Sequence, residues 1–391
     1  MTLSTEPQII TTNEDLQTLC QHLATQSRLA VDLEGDSLHH FKEKLCLLQV
    51  SDANQDYIVD VLSITDFSPM KALFEDASIL KVMHGADYDV VSLKRDYNCS
   101  INSLFDTGIG AQFLNYEKFG LADLIQKHFG VRLEKRYQKH DWSRRPLYWE
   151  HIDYARMDTH YLLAIHEIME LQLKKLGLLE ACLEESTCLT QRDWNGRLFD
   201  GLDYTRVKKA YALSEASLKV LRLLFETRDA WAEQRDVPVF HYAPDAVLTA
   251  LAKDLPTTKA EVLNAVHDKH RGVVSKKWKE LVDLVQKGLE DERPVSKVTK
   301  GSTKRSRSKW LNEVVNHLRT WRTEQQELGT HDFLLPTNNE IRDLAYDLPK
   351  NMEELAASGI LRQWQMDLWG ADVLLVIEAL LAGKDAKRKK K

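Results

Sequence analysis

Three short stretches carry side chains whose types and spacing suit them to work on one charged substrate. In AVDLEG, Asp32 and Glu34 stand two residues apart in a β-prone run. Strand side chains alternate faces, so both carboxylates project on one side while Val31 and Leu33 take the other. In KVMHGADYDV an apolar run passes into a helical pattern through Gly85 and Ala86, placing Asp87 and Asp89 in the first turn, where either acid suits a helix start. In DYARMD, Tyr154 and Asp158 are four residues apart and share a helix face. Singly, each has a plainer reading: a solvated edge strand, a dipole-pairing acid, a surface tyrosine. Together the carboxylates supply hard oxygen ligands that suit Mg²⁺ or Mn²⁺ rather than zinc. Two such ions about 3.5–4 Å apart activate water on one side of a phosphodiester and stabilise the leaving oxygen on the other.

These groups must be positioned by a mixed α/β unit, because the first two hundred or so residues alternate β-rich and helical runs. RLAVDLEG, EKLCLLQVSD, DYIVDV and ILKVMHG are expected as strands. Helices are expected from Thr12 to about Gln26, in DYDVVSLKRDY, in FDTGIGAQFL, in GLADLIQKHFG with Gly130 as C-cap, and as one long helix in HIDYARMDTHYLLAIHEIMELQLKKLG. Between the last two lies EKRYQKHDWSRRPLYWE, whose Tyr137, Trp142, Arg144 and Arg145 offer stacking faces and cations of the kind a single-strand channel uses. Packing is the better reading for Trp142, and the arginines stay open between packing and substrate contact.

Beyond about Ala210 the chain reads as helical, with two similar segments. An offset of 93 carries Phe240 to Phe333, Leu251 to Leu344, Ala252 to Ala345, Asp254 to Asp347, Leu255 to Leu348 and Pro256 to Pro349, which argues for two copies of one small helical domain. Trp231 and Trp321 are expected in their cores. The division is then 1–205, 210–290, a basic linker 291–308, 309–384 and a basic tail 385–391.

Composition bounds the partners. Net charge is −6, yet residues 293–309 carry seven basic side chains and no acidic one, and 383–391 carry six against Asp385. KHRGVVSKKWKE, with Trp278 interleaved, is a third basic stretch. These are candidate phosphate contacts. Five cysteines (Cys20, Cys46, Cys99, Cys182, Cys188) form no CxxC and leave an odd count, which disfavours a disulfide framework. No signal peptide or membrane span is visible, so a monomeric, cytoplasmic protein is expected.

The order DxE, then an Asp after a strand-to-helix turn, then YxxxD on a late helix resembles the DEDD exonuclease superfamily in its tyrosine-bearing branch, and more closely the ribonuclease D family. KVMHGADYDV, SLFDTGIGAQFL, EKRYQKHDWSRRPL and DYARMDTHYLL are similar to the nuclear exosome exonucleases. The likeness spans roughly residues 10–200, and the helical repeats resemble the HRDC domain. It implies a ribonuclease H-like mixed sheet with helices, followed by two all-α bundles. It selects Asp89 over Asp87. It implies that Asp32 bridges two metal ions, that Glu34 and Asp158 complete the first, that Asp89 holds the second through water, and that Tyr154 orients the attacking water. The sister branch has His one position earlier, which here is Asp153. His84 is implied near the terminal nucleotide, Gly35 without a side chain would either let the terminal sugar approach the backbone or simply mark the strand exit, and His151 and His160 read as surface or packing residues. The implied activity is 3′-5′ removal of 5′-mononucleotides from RNA, in transfer-RNA 3′ maturation or structured-RNA trimming. A DNA exonuclease and a non-catalytic nucleic-acid-binding protein are the alternatives. The chain has no GxxxxGK[ST], which disfavours a helicase.

Overall fold

The computed structural model describes residues 6–296, 298 and 309–389. Most of the expected basic linker and the end of the basic tail fall outside them. Six strands form one sheet in the order β1-β4-β3-β2-β5-β6: β1 (Gln8–Ile10), β2 (Arg28–Gly35), β3 (Leu45–Ser51), β4 (Asp56–Val59), β5 (Leu80–Met83) and β6 (Leu104–Asp106). β2, β3 and β4 pair antiparallel, while β1 on β4, β5 on β2 and β6 on β5 are parallel. Every residue of β3 is buried, as a central strand covered on both faces requires.

Eight helices belong to this domain: α1 (Asn13–Leu23), α2 (Ser68–Glu75), α3 (Asp87–Tyr97), α4 (Thr107–Phe113), α5 (Leu121–Phe129), α6 (Trp149–His160), α7 (Leu162–Leu176) and α8 (Leu179–Thr190). Thr12 caps α1 by accepting from the Asp15 N–H, and Gly130 ends α5 in the left-handed conformation.

Three expectations are corrected here. The three-residue strands β1 and β6 are too short to show an alternating pattern; β6 takes the first two residues of the expected helix FDTGIGAQFL. The long helix is two, because Tyr161 interrupts it with φ −102° and ψ −7°. The break lets α6 lie on β3 and β4 while α7 packs against α4, β2 and β5.

The remainder comprises α9 (Glu215–Gln234), α10 (Asp245–Asp254), α11 (Lys259–Ala265), α12 (Arg271–Lys276) and α13 (Trp278–Glu290), then α14 (Lys309–Glu327), α15 (Asn338–Asp347), α16 (Met352–Ser358) and α17 (Gln363–Lys389). The offset of 93 carries α10 onto α15 and α11 onto α16 residue for residue, and Leu255 and Leu348 both end their helices in the left-handed region. Each bundle has its own core. The first begins earlier than expected, since Tyr204, Val207 and Ala210 are part of its interior. Trp321 is core, but Trp231 is half-buried with the Lys277 ammonium 3.6 Å over its ring. That lysine belongs to the basic stretch around Trp278, so part of its charge is already engaged.

The bundles dock on the first domain in different ways. The first meets the β2–β3 loop through His40 Nδ1, 2.7 Å from Asp236 Oδ2, and through the Phe41 N–H, which donates to Asp236 Oδ1. The second inserts Trp364, 5% exposed, beside Phe113 in the first domain's own core, with the N–H groups of Gln363 and Trp364 donating to Glu184. Among the described residues no helix is long and apolar enough to cross a membrane.

Candidate active site

β5 pairs with β2 only from Arg28 to Ala30, so beyond that point the edge of β2 opens into a crevice, and Asp32 and Glu34 lie on the free stretch. Across β2 they sit opposite Gln49 and Leu47 of β3. The chain leaves β5 through Gly85, whose φ of 67° is costly for residues with a Cβ, and turns into α3 with Asp89 in its first turn. α6 crosses β3 and brings Tyr154 and Asp158 over the same place.

Oxygens of Asp32, Glu34 and Asp158 lie within 4.8 Å of one another. They stand on the floor of a cleft of about 710 Å³ lined also by His84, Tyr154, Asp153 and the 132–138 segment. Asp89 is not in this triplet, but lies behind it, 7% exposed. Asp87 faces away, half-exposed and paired with Arg192. The geometry therefore separates the two acids that spacing alone left open.

Each of the four carboxyls is held above the ordinary carboxylate range. For Asp32 the causes are burial, then the charges of Asp158, Asp89 and Glu34; for Glu34, burial, then Asp158 and Asp89. Asp89 is pushed up to about 8 by burial, then by Asp106, Asp87 and Asp158, and burial raises Asp158 to about 7. Among the described residues no Lys or Arg pairs with any of the four, so their charge is left for something else to neutralise. An all-oxygen donor set with uncompensated negative charge fits a hard divalent cation.

Tyr154 is fixed by its neighbours. Its ring stacks on Trp142 at 6.2 Å between centroids, and Tyr137 meets it edge-on at 5.6 Å. Burial and the three nearby carboxylates raise the phenol's pKa, so the hydroxyl stays protonated at neutral pH, able to donate and accept. Trp142 is 1% exposed against Cys46, Leu47 and Ile58, the packing role expected for it. Its indole N–H is buried without a partner in hydrogen-bond geometry, yet lies near enough to Glu34 to favour that carboxylate's charged form.

The sequence did not single out the side chains that hold α6 and α3 in place. Asp56, buried in β4, takes His160 Nδ1 at 2.6 Å and Arg156 Nη1 at 3.6 Å, the two residues flanking Asp158 at a distance of two. Ser51 Oγ lies 2.7 Å from both Asp56 Oδ1 and Thr159 Oγ1. His160, read as a surface or packing residue, is thus an anchor. Asp106 accepts from the N–H groups of Ala86, Gly108 and Ile109, which clasps the starts of α3 and α4 with one carboxylate. An Asp before Thr-Gly at a strand end is the one signal that could have flagged it.

One of the expected substrate contacts is corrected. Arg145 is a structural clamp: its guanidinium spans both oxygens of Asp60 and donates to the carbonyls of Cys46, Trp142 and Arg144, leaving no donor for phosphate. Gly35 also has a packing constraint, because a Cβ there would sit 3.2 Å from the Lys44 carbonyl at the register shift of β2 on β3. Arg144 is exposed and paired with Asp141, outside the cleft lining. The cations lining the cleft are instead Arg132, Lys135 and Arg136. His84 does line it. Thr107 Oγ1 donates to the Met83 carbonyl and so accepts from His84 Nδ1 at 2.9 Å, which leaves Nε2 as an acceptor on a neutral imidazole whose pKa burial lowers.

Residues 7–174 match the family described as 3′-5′ exonuclease, and 217–285 match the HRDC domain. Ribonuclease D of Cronobacter turicensis is 32% identical over 257 residues, covering 65% of this chain and 69% of that one. The chain belongs to the ribonuclease D family. Other relatives of this ribonuclease D family member are longer. Protein RRP6-like 2 of Arabidopsis thaliana is 34% identical over 270 residues, 66% of this chain but 31% of its own, so the chain spans about a third of that protein. The solved catalytic core of RRP6 from Trypanosoma brucei is 30% identical, with 75% of this chain and 82% of that one covered at a TM-score of 0.60. Escherichia coli RNase D, 23% identical, superposes over 96% of this chain and 99% of its own at a TM-score of 0.68, a likeness of fold that includes both bundles.

Proposed function

We propose that this protein is a 3′-5′ exoribonuclease that hydrolyses RNA from its 3′ end and releases 5′-mononucleotides. The observation that carries the proposal is the meeting of Asp32, Glu34 and Asp158 within 4.8 Å, uncompensated by any cation among the described residues, beside Tyr154. Two bound Mg²⁺ or Mn²⁺ ions, held by these acids with Asp89 on the second, would supply an activated water and stabilise the leaving oxygen. The remaining work falls to the chain. Tyr154, kept protonated and fixed by Trp142 and Tyr137, orients the water. His84 Nε2 offers an acceptor to a terminal sugar hydroxyl.

RNA as substrate and the 3′ polarity rest on the ribonuclease D relatives. Transfer-RNA precursors and structured RNA ends are the substrates proposed, handled by a monomer in the cytoplasm. The proposal is tested with 5′-labelled RNA and DNA of equal sequence in Mg²⁺, in EDTA and with Asp32→Asn protein. RNA should shorten stepwise in Mg²⁺ only. Activity that survives EDTA or the substitution refutes the mechanism, equal turnover of DNA refutes the RNA preference, and digestion of a 3′-phosphorylated strand refutes the polarity.

A further inference from the structure

The cleft has an outer end that the hydrolytic reading does not use. α6 presents Trp149, Glu150, Asp153, Tyr154, Met157 and Asp158 to it, positions that recur on one helix face from the first turn to the last. Asp158 and Tyr154 sit at the inner end with the acids, and Trp149 sits at the outer end. Trp149 is 49% exposed, an unusual state for an indole that has a core within reach. The 132–138 segment lines the same cleft with Arg132, Lys135 and Arg136 exposed, and its Tyr137 meets His151 and Tyr154 of α6 at 4.8 and 5.6 Å between ring centroids. Arg136 donates to the Tyr137 hydroxyl at 2.7 Å, and its charged form is favoured by that contact and, further off, by Glu134 and Glu150. Glu150 is the neighbour of Trp149, so the basic wall comes close to the indole. A flat apolar face that shares a cleft with cations, where the floor is acidic, is the pairing that holds a base and its phosphate.

Resting on the exonuclease reading, we propose that Trp149 is the stacking platform for a base upstream of the scissile bond, with Arg132, Lys135 and Arg136 taking the neighbouring phosphates. The nine steps from Trp149 to Asp158 rise about 13.5 Å along the helix. Two extended nucleotides, or four stacked ones at about 3.4 Å each, span that distance. The stacked base is therefore the second to fourth from the cut. This makes Trp149 a determinant of substrate length: a dinucleotide ends before reaching it, whereas a hexanucleotide covers it.

The experiment compares hexanucleotide and dinucleotide RNA in Mg²⁺ with wild-type, Trp149→Ala and Trp149→Phe protein. Wild type is expected to have the lower KM for the hexamer. Trp149→Ala should erase that advantage by raising the hexamer KM between about five- and a hundredfold, with kcat changed less than threefold. Trp149→Phe should restore most of it, which loss of folding would not allow. An abasic residue placed in turn at the second, third and fourth positions from the cut should penalise the wild type at one of them and leave Trp149→Ala indifferent there. If the alanine protein keeps the wild-type length preference, or remains as sensitive to the abasic site, the platform is refuted while the exonuclease stands. If wild-type protein shortens neither RNA, both fall together.

Discussion

The first domain holds two sets of acids that are buried or half-buried, and they are treated in opposite ways. Asp56, Asp60 and Asp106 are each satisfied by protein: His160 and Arg156 for the first, a two-pronged Arg145 for the second, three backbone N–H groups for the third. Burial pushes the Asp60 carboxyl up, and the Arg145 guanidinium outweighs it, leaving Asp60 below its usual range. Asp32, Glu34, Asp89 and Asp158 lie a few residues away in sequence or space, receive no cation from any described residue, and are all raised. The difference teaches that burial alone does not mark a functional acid. What marks it is buried charge that the protein declines to neutralise.

The contrast can be broken at either set. The largest expected effect is on turnover: Asp158→Asn should lower kcat/KM on RNA by about a thousandfold or more, and yet, in EDTA, melt no lower than wild type, since it removes repulsion. A lower melting temperature would mean that the floor acids are structural after all. Next comes stability at the other set. Asp60→Ala strands the partly buried Arg145 and should cost about 2–4 kcal/mol, read by denaturant unfolding; a loss within about 0.5 kcal/mol would show that the clamp holds nothing.

The pH dependence sharpens the comparison further. Asp89, at about 8, and Asp158, at about 7, keep protons that the unfolded chain gives up above about pH 4. Across that window the folded state binds more protons, so metal-free stability should decline as pH rises. Added Mn²⁺ should raise the melting temperature more at pH 8 than at pH 5.5; an equal rise at both would disconnect the ion from these acids. The smallest effect is expected for Tyr154→Phe, which keeps the stacking on Trp142: kcat should fall by about ten- to a hundredfold, with the melting temperature within about 2 °C of wild type.

Much of this was legible because the floor acids sit in strong local patterns. The alternation in AVDLEG and the i, i+4 spacing of Tyr154 and Asp158 each fix a face, whereas the glycine turn before ADYD left Asp87 and Asp89 open until the order of all three motifs was matched to the family. Asp56 and Asp60 were not legible, because their partners come from afar: Asp56 and His160 are 104 residues apart, and Asp60 and Arg145 are 85. The same distance kept the reading of the arginines open. RR before Pro looks like a phosphate contact, and only the fold reveals that Arg145 is already spoken for by Asp60. β1 and β6 were missed since three residues cannot display a period of two, and the break at Tyr161 was hidden by apolar spacing that runs unbroken through both helices.

Asp106 has a consequence for how much change the chain can tolerate. Its three accepted N–H bonds tie the turn that delivers Asp89 to the helix whose Thr107 orients His84. One side chain thus sets the position of two groups on different elements, and no second substitution could restore both. In a library of single variants selected for activity, Asp106 should be as depleted of replacements as Asp32, although it touches neither metal nor RNA. Asp87, two residues from a floor acid, should accept most of them.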